Sequence, residues 1–307
     1  MTQTPLITAP DLLQLLAQTQ TDRQLVRIFD CSFDLADLHA GKNQYLQAHI
    51  PGAIHTSLAQ DLSASHGTDP SKKGAAAVLT VGGADAPASG GRHPLPNRER
   101  FATWLSRVGF SNGMKAVVYD RNRSLYCGRL WWMQKWAGHA DVVILDGGLQ
   151  AWQEVGGDIK AGEEPAHFQG NFLLSEPLVK LVDAEYVRTH LASTSTTLID
   201  ARAPARFKGE TEPLDPVAGH IPGAVNRPFD SNFENDGRFK SPEQLKEAFA
   251  QLFASKVPTE SIHYCGSGVS ALPNMVAMEI AGLGHSTLYA GSWSDWSSNE
   301  SRPVEKG

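Results

Sequence analysis

The sequence predicts an α/β protein built from two tandem copies of one domain, each a parallel sheet flanked by helices. Three features point there. Short β-rich runs (Val26–Asp30, Val117–Tyr119, Val142–Leu145, Leu198–Asp200, Ile262–Tyr264 and Thr287–Tyr289) alternate with helical patterns such as 97–107, 125–137 and 241–254. Parallel strands need such crossovers to connect them. The pentamer His-Ile-Pro-Gly-Ala at 49–53 recurs at 220–224, and 307 residues are long for one core and comfortable for two.

The repeat extends well beyond the pentamer. Ile28-Phe29-Asp30 matches Leu198-Ile199-Asp200, and Val117-Val118-Tyr119-Asp120 matches Ile262-His263-Tyr264-Cys265. Asp146-Gly147-Gly148 with Trp152 matches Ala290-Gly291-Ser292 with Trp296, so the order is kept throughout. The first copy is assigned to 1–156, a loop-like join to 157–177 and the second copy to 178–307. The spacing between matched segments shrinks from 171 residues at the pentamer to 145 at Val117, which places extra residues in the first copy, within about 58–97. Their Gly, Pro, Ser and Asp content predicts a surface loop.

Within the copies, helix 125–137 puts Trp132 and Trp136 on one face, the pattern of a core or a domain interface. His49 and His220 stand beside Pro-Gly turns. There an imidazole fixes the loop by hydrogen bonding, and two copies of it cannot both serve one active site.

Composition excludes several function classes. Hydrophobic residues make up 41% and charged residues 20%, with no apolar run long enough to span a bilayer. A net charge of −6 without a basic block argues against a nucleic-acid partner. The first ten residues lack a basic leader and an apolar stretch, which predicts a cytoplasmic protein. Three scattered cysteines, Cys31, Cys127 and Cys265, make no disulfide framework, and eleven histidines show no metal-ligand spacing. No metal site is expected.

Chemistry concentrates in residues 261–280. A buried strand ends at Cys265, a loop punctuated by Gly266 and Gly268 follows, and Leu272, Val276 and Ile280 mark a helix. Such a loop can turn successive N–H groups into one bowl, and the helix adds its unpaired first-turn donors and the positive end of its dipole. Cysteines in that setting favour the thiolate. The hydroxyls of Ser267 and Ser270 converge on the same point, which reads as a reactive cysteine rather than a packing one. Phosphocysteine enzymes need an arginine six residues after the cysteine, and Ala271 stands there. A sulfur atom carried as a persulfide fits better. Asp120 holds the matching place in the first copy and cannot form a persulfide, so that copy is read as catalytically silent, with Cys31 and Cys127 as packing residues.

The loop Cys265-Gly266-Ser267-Gly268-Val269-Ser270-Ala271 resembles that of the tandem-domain rhodanese family, in its 3-mercaptopyruvate sulfurtransferase branch, and the resemblance covers about residues 8–304. That branch carries Thr where Ser270 stands, which keeps the hydroxyl. Thiosulfate-preferring members carry basic residues in the two positions after the cysteine, here Gly266 and Ser267. The resemblance implies two tandem rhodanese-like domains and transfer of sulfur from 3-mercaptopyruvate, or alternatively thiosulfate, through a Cys265 persulfide. The acceptor would be a thiol such as thioredoxin or glutathione, or cyanide, with no cofactor. It implies that Ser267 helps protonate the departing carbanion, that Gly266, Gly268, Val269, Ser270 and Ala271 line the substrate, and that Arg206 in Asp200-Ala-Arg202-Ala-Pro-Ala-Arg206 binds the donor's anionic group. Arg202, beside a strand end, reads as structural. His93 matches a histidine that assists the serine in some members, but Ser57 stands where their Asp would be. No second arginine lies in 207–219, which holds only Lys208 as a base. Outside this reading stands a non-enzymatic anion- or sulfur-sensing module.

Overall fold

The computed structural model describes residues 4–18, 25–68, 72, 78–80, 82–166, 168–191, 193–253 and 256–307. Of the expected surface loop, 69–71, 73–77 and 81 lie outside the described residues, as does the last residue of the pattern 241–254. The first part of the chain forms β1 (Leu6–Ile7), α1 (Ala9–Gln18), β2 (Val26–Asp30), α2 (Ala40–Gln47), β3 (Ile54–His55), β4 (Ser65–Thr68), β5 (Val78–Thr80), α3 (Arg98–Arg107), β6 (Lys115–Tyr119), α4 (Cys127–Trp136), β7 (Val142–Leu145) and α5 (Gly148–Glu154). The later part forms β8 (Lys180–Val182), α6 (Ala184–His190), β9 (Thr197–Asp200), α7 (Pro204–Phe207), β10 (Val225–Asn226), α8 (Pro242–Phe253), β11 (Ser261–Tyr264), α9 (Leu272–Ile280), β12 (Thr287–Tyr289) and α10 (Ser292–Trp296).

The duplication is visible in the sheets. One runs β1-β7-β6-β2-β3 and the other β8-β12-β11-β9-β10, every pairing parallel. Asp30 pairs with Tyr119 in the first and Asp200 with Tyr264 in the second, so the matched residues occupy matched rungs. Leu12, Ile28, Val117 and Trp152 are among the residues of one core, and Val187, Ile262, Trp293 and Trp296 of the other.

Local chemistry sets the helix starts. Ser241 and Gln244 form a reciprocal cap on α8, each side chain accepting the other's backbone N–H (3.2 and 2.8 Å), and Leu245, Phe249 and Phe253 bury one stripe of that helix. Trp132 and Trp136 stack at 5.7 Å and are buried. His49 Nδ1 meets the Tyr45 carbonyl at 2.7 Å and His220 Nδ1 the Phe207 carbonyl at 2.8 Å, each ring stacked on that aromatic neighbour, so both histidines pin their turns.

By contacts the chain forms two compact units that are not contiguous in sequence. The first comprises 1–62, 98–178 and 233–239, the second 63–97, 179–232 and 240–307. The stretch expected as a surface loop thus belongs largely to the second unit. Its end is not superficial: Gly91, Pro94, Leu95 and Pro96 are buried. The composition that suits a loop also suits a strap packed without regular structure. Among the described residues no helix is long and apolar enough to cross a membrane, and no group of three or more His, Cys, Asp or Glu could hold a metal ion.

Candidate active site

Cys265 is the residue after β11, at the carboxyl end of a central strand, where open α/β sheets place their ligands. Its thiol is free and 1% exposed. The Cys265 N–H donates to Ser292 Oγ (3.1 Å), whose hydroxyl donates to the Tyr289 carbonyl (3.0 Å). The Cys265 carbonyl accepts the Trp293 N–H (2.9 Å) and the Gly266 carbonyl the Ser294 N–H (3.0 Å). In trans peptides these bonds aim the following N–H groups, of Gly266 and Ser267, away from the 292–294 turn.

Gly268 adopts φ +75°, and a Cβ there would lie 2.3 Å from the Ala290 carbonyl oxygen, so both conformation and space require glycine. Val269 and Ala271 are buried, Ser270 is half-buried, and the Leu272 N–H returns to the Val269 carbonyl (3.1 Å) as α9 begins.

Ser267 is buried with its Oγ 2.8 Å from His93 Nδ1, so the serine and the histidine named from the sequence do meet. The strap carrying His93 also carries Arg92, whose N–H donates to Ser294 Oγ (3.0 Å). A methyl group built on Gly266 would lie 3.1 Å from Arg92 Nη2 and 3.3 Å from Arg206 Nη1. Two guanidiniums therefore flank the residue next to the cysteine. Arg206 is held by Glu212 (2.7 and 2.9 Å) and Asp215 (3.3 Å), and Arg92 is paired with Asp215. Burial pushes the Asp215 carboxyl above its ordinary range, against the opposing pull of Arg92.

Arg202 is a different case. It is locked to Asp200 (2.6 Å) and the Gly219 carbonyl (2.7 Å) and lies over the Trp293 ring, which is the structural place expected of it. The residues that sequence reading missed are Arg92, Glu212, Asp215 and Ser292. Arg92 adjoins His93 in Gly-Gly-Arg-His and Ser292 lies in the repeated segment Ala290-Gly291-Ser292, whereas nothing local marks Glu212 or Asp215.

In the first unit the matching loop is closed on itself. Asp120 Oδ1 accepts the N–H groups of Asn122 (2.8 Å) and Ser124 (3.0 Å), and Oδ2 those of Tyr126 (2.8 Å) and Cys127 (2.9 Å). Cys31 and Cys127 are fully buried, and burial raises both thiols well above their ordinary range, as befits packing residues.

Against known families, residues 8–155 and 183–299 both match the Rhodanese-like domain. The chain belongs to that family. A Pseudomonas aeruginosa relative bearing the name probable 3-mercaptopyruvate sulfurtransferase is 39% identical over 311 residues, covering 100% of both chains. The Mycobacterium tuberculosis protein SseB, provisionally named a thiosulfate sulfurtransferase, is 36% identical and covers 92% of this chain and 91% of its own. The crystal structure of SseA from Escherichia coli, described among 3-mercaptopyruvate sulfotransferases, superposes with a TM-score of 0.72 at 26% identity, covering 95% of this rhodanese and 99% of SseA. Both copies of the rhodanese fold are thus accounted for.

Proposed function

We propose that the protein is a sulfurtransferase that takes sulfur from 3-mercaptopyruvate onto Cys265 and passes it to a thiol, such as thioredoxin or glutathione, or to cyanide. The observation that carries this is the 2.8 Å contact between Ser267 and His93 on the loop of the cysteine. Attack of the Cys265 thiolate on the donor sulfur breaks the C–S bond and leaves its electron pair on carbon, as the enolate of pyruvate. That carbon needs a proton, and a serine backed by a histidine can deliver one. The acceptor thiolate then attacks the outer sulfur of the persulfide, and the S–S electron pair returns to Cys265. Loop N–H groups stabilise the sulfur anions, so the reaction requires no metal or organic cofactor.

Arg206 and Arg92 supply planar forks for the donor carboxylate, which answers the missing arginine in 207–219. Gly266, Gly268, Val269, Ser270 and Ala271 form the wall of the bowl. The second unit is the catalytic one and the first, with Asp120, is silent.

One observation favours thiosulfate as the second reading. Two guanidiniums beside Gly266 also suit a dianion. Thiosulfate, however, releases sulfite, which leaves as a stable anion and makes no use of the Ser267–His93 pair. The test is mass spectrometry after each donor, with steady-state assays of both. One extra sulfur on the Cys265 peptide and a higher kcat/KM for mercaptopyruvate are expected. A preference for thiosulfate would exchange the two donors, and no persulfide from either would leave the sensing module.

A further inference from the structure

We propose that Asp215 sets the charge of donor that the site accepts, an inference that rests on the sulfurtransferase reading above. The Asp215 side chain is fully buried and bridges Arg92 and Arg206. Glu212, its side chain 3% exposed, takes Arg206 through both oxygens and reaches Arg202 at 3.3 Å, and Arg202 is held in turn by Asp200. Three guanidiniums thus face three carboxylates. The flank of Gly266 offers forked N–H donors with almost no net positive charge.

That combination discriminates by charge rather than by shape. A carboxylate gains from a planar fork because hydrogen-bond geometry suits it, whatever the sum of charges nearby. A dianion feels each unit of net charge twice as strongly as a monoanion does. Balancing the arginines therefore costs thiosulfate more than mercaptopyruvate. Asp215 is the carboxylate shared by the two guanidiniums next to the nucleophile, so its charge has the largest leverage. It acts through the arginines and is a positioning residue, not a catalytic one.

Asp215→Asn removes the charge and keeps the volume. The ratio of kcat/KM for thiosulfate to that for mercaptopyruvate is expected to rise about tenfold, with competitive inhibition by sulfate tightening relative to that by pyruvate by a similar factor. Asp215→Glu restores the charge and is expected to return the ratio to wild type even where both activities fall. Glu212→Gln shifts the ratio in the same direction by less, and decides the matter should Asp215→Asn fail to fold. Equal losses with both donors, leaving the ratio and the inhibitor preference unchanged in the charge-removing variants, would reduce Asp215 to a structural brace and overturn the proposal. That failure is separate from failure of the function itself, which would appear as no persulfide on Cys265 in the wild-type protein.

Discussion

Two loops at the carboxyl ends of corresponding strands, 120–127 and 265–272, share a fold and differ in what fills them. In the first, the Asp120 carboxylate gathers four N–H groups of its own loop, and Arg121 pairs with Asp30 at 3.0 Å. In the second, the partner of the matching Asp200 is Arg202, from the loop after β9. The same ion pair is kept and the arginine has changed places, Ser32 standing where Arg202 would be and Gly266 where Arg121 would be. That exchange leaves the position after Cys265 without a side chain, where Arg92 and Arg206 approach it. The two loops therefore differ by more than Asp120 against Cys265.

The comparison is tested most severely at Cys265. Cys265→Ser should abolish turnover with both donors while leaving the melting temperature unchanged, because oxygen cannot hold a transferable sulfur. Adding Asp120→Cys to that variant should restore nothing, since 31–48 contains no arginine and Arg121 occupies the place of Gly266. A persulfide on the introduced thiol, with turnover, would show that the cysteine alone separates the copies.

Ser267→Ala comes next. Loss of the proton path should lower kcat with mercaptopyruvate by about a hundredfold or more and leave thiosulfate turnover near wild type. Equal loss with both donors would assign Ser267 to holding the loop. Asp120→Ala should leave persulfide formation at Cys265 intact but cost about 3 kcal/mol in urea unfolding, as several buried donors lose a charged acceptor. A cost below about 1 kcal/mol would mean that the first loop does not depend on its carboxylate. Arg206→Ala should raise KM for the donor, removing a charge-assisted contact of about 1.5 to 3 kcal/mol. Unchanged kcat/KM for both donors would remove it from the site.

The smallest effect separates the strands. β11 carries fully buried His263 where β6 has Val118, and burial, reinforced by Arg227, lowers that imidazole to about 3. Between the ordinary histidine range and that value the unfolded chain binds the proton and the folded chain does not, so stability falls as pH falls. The slope is about 1.4 kcal/mol per pH unit below roughly pH 6.5. His263→Val should flatten it in urea melts compared at pH 7 and pH 5. An identical pH dependence in both proteins would show that the imidazole is protonated in the folded state.

The central strands, the loop after Cys265 and the duplication were legible because each is written in consecutive residues: β-rich runs ending in an acid or Cys265, glycines at 266 and 268, a pentamer used twice. The edge strands β1, β3, β8 and β10 hold two or three residues each, too few for a period to show. His93 was visible through resemblance, and Arg92 was marked only by standing next to it, because its place beside Gly266 depends on a strap folding back across more than a hundred residues of sequence. Asp215 was hidden for the same reason. Nothing local marks an acid as the partner of an arginine 123 positions away.

The membership of 63–97 in the second unit bears on what the first copy contributes. The stretch inserted into the first copy carries Arg92 and His93 into the second unit, while 233–239, from the second copy, belongs to the first unit. Each half holds part of the other as hostage. A cut at the join between the copies would therefore divide both units.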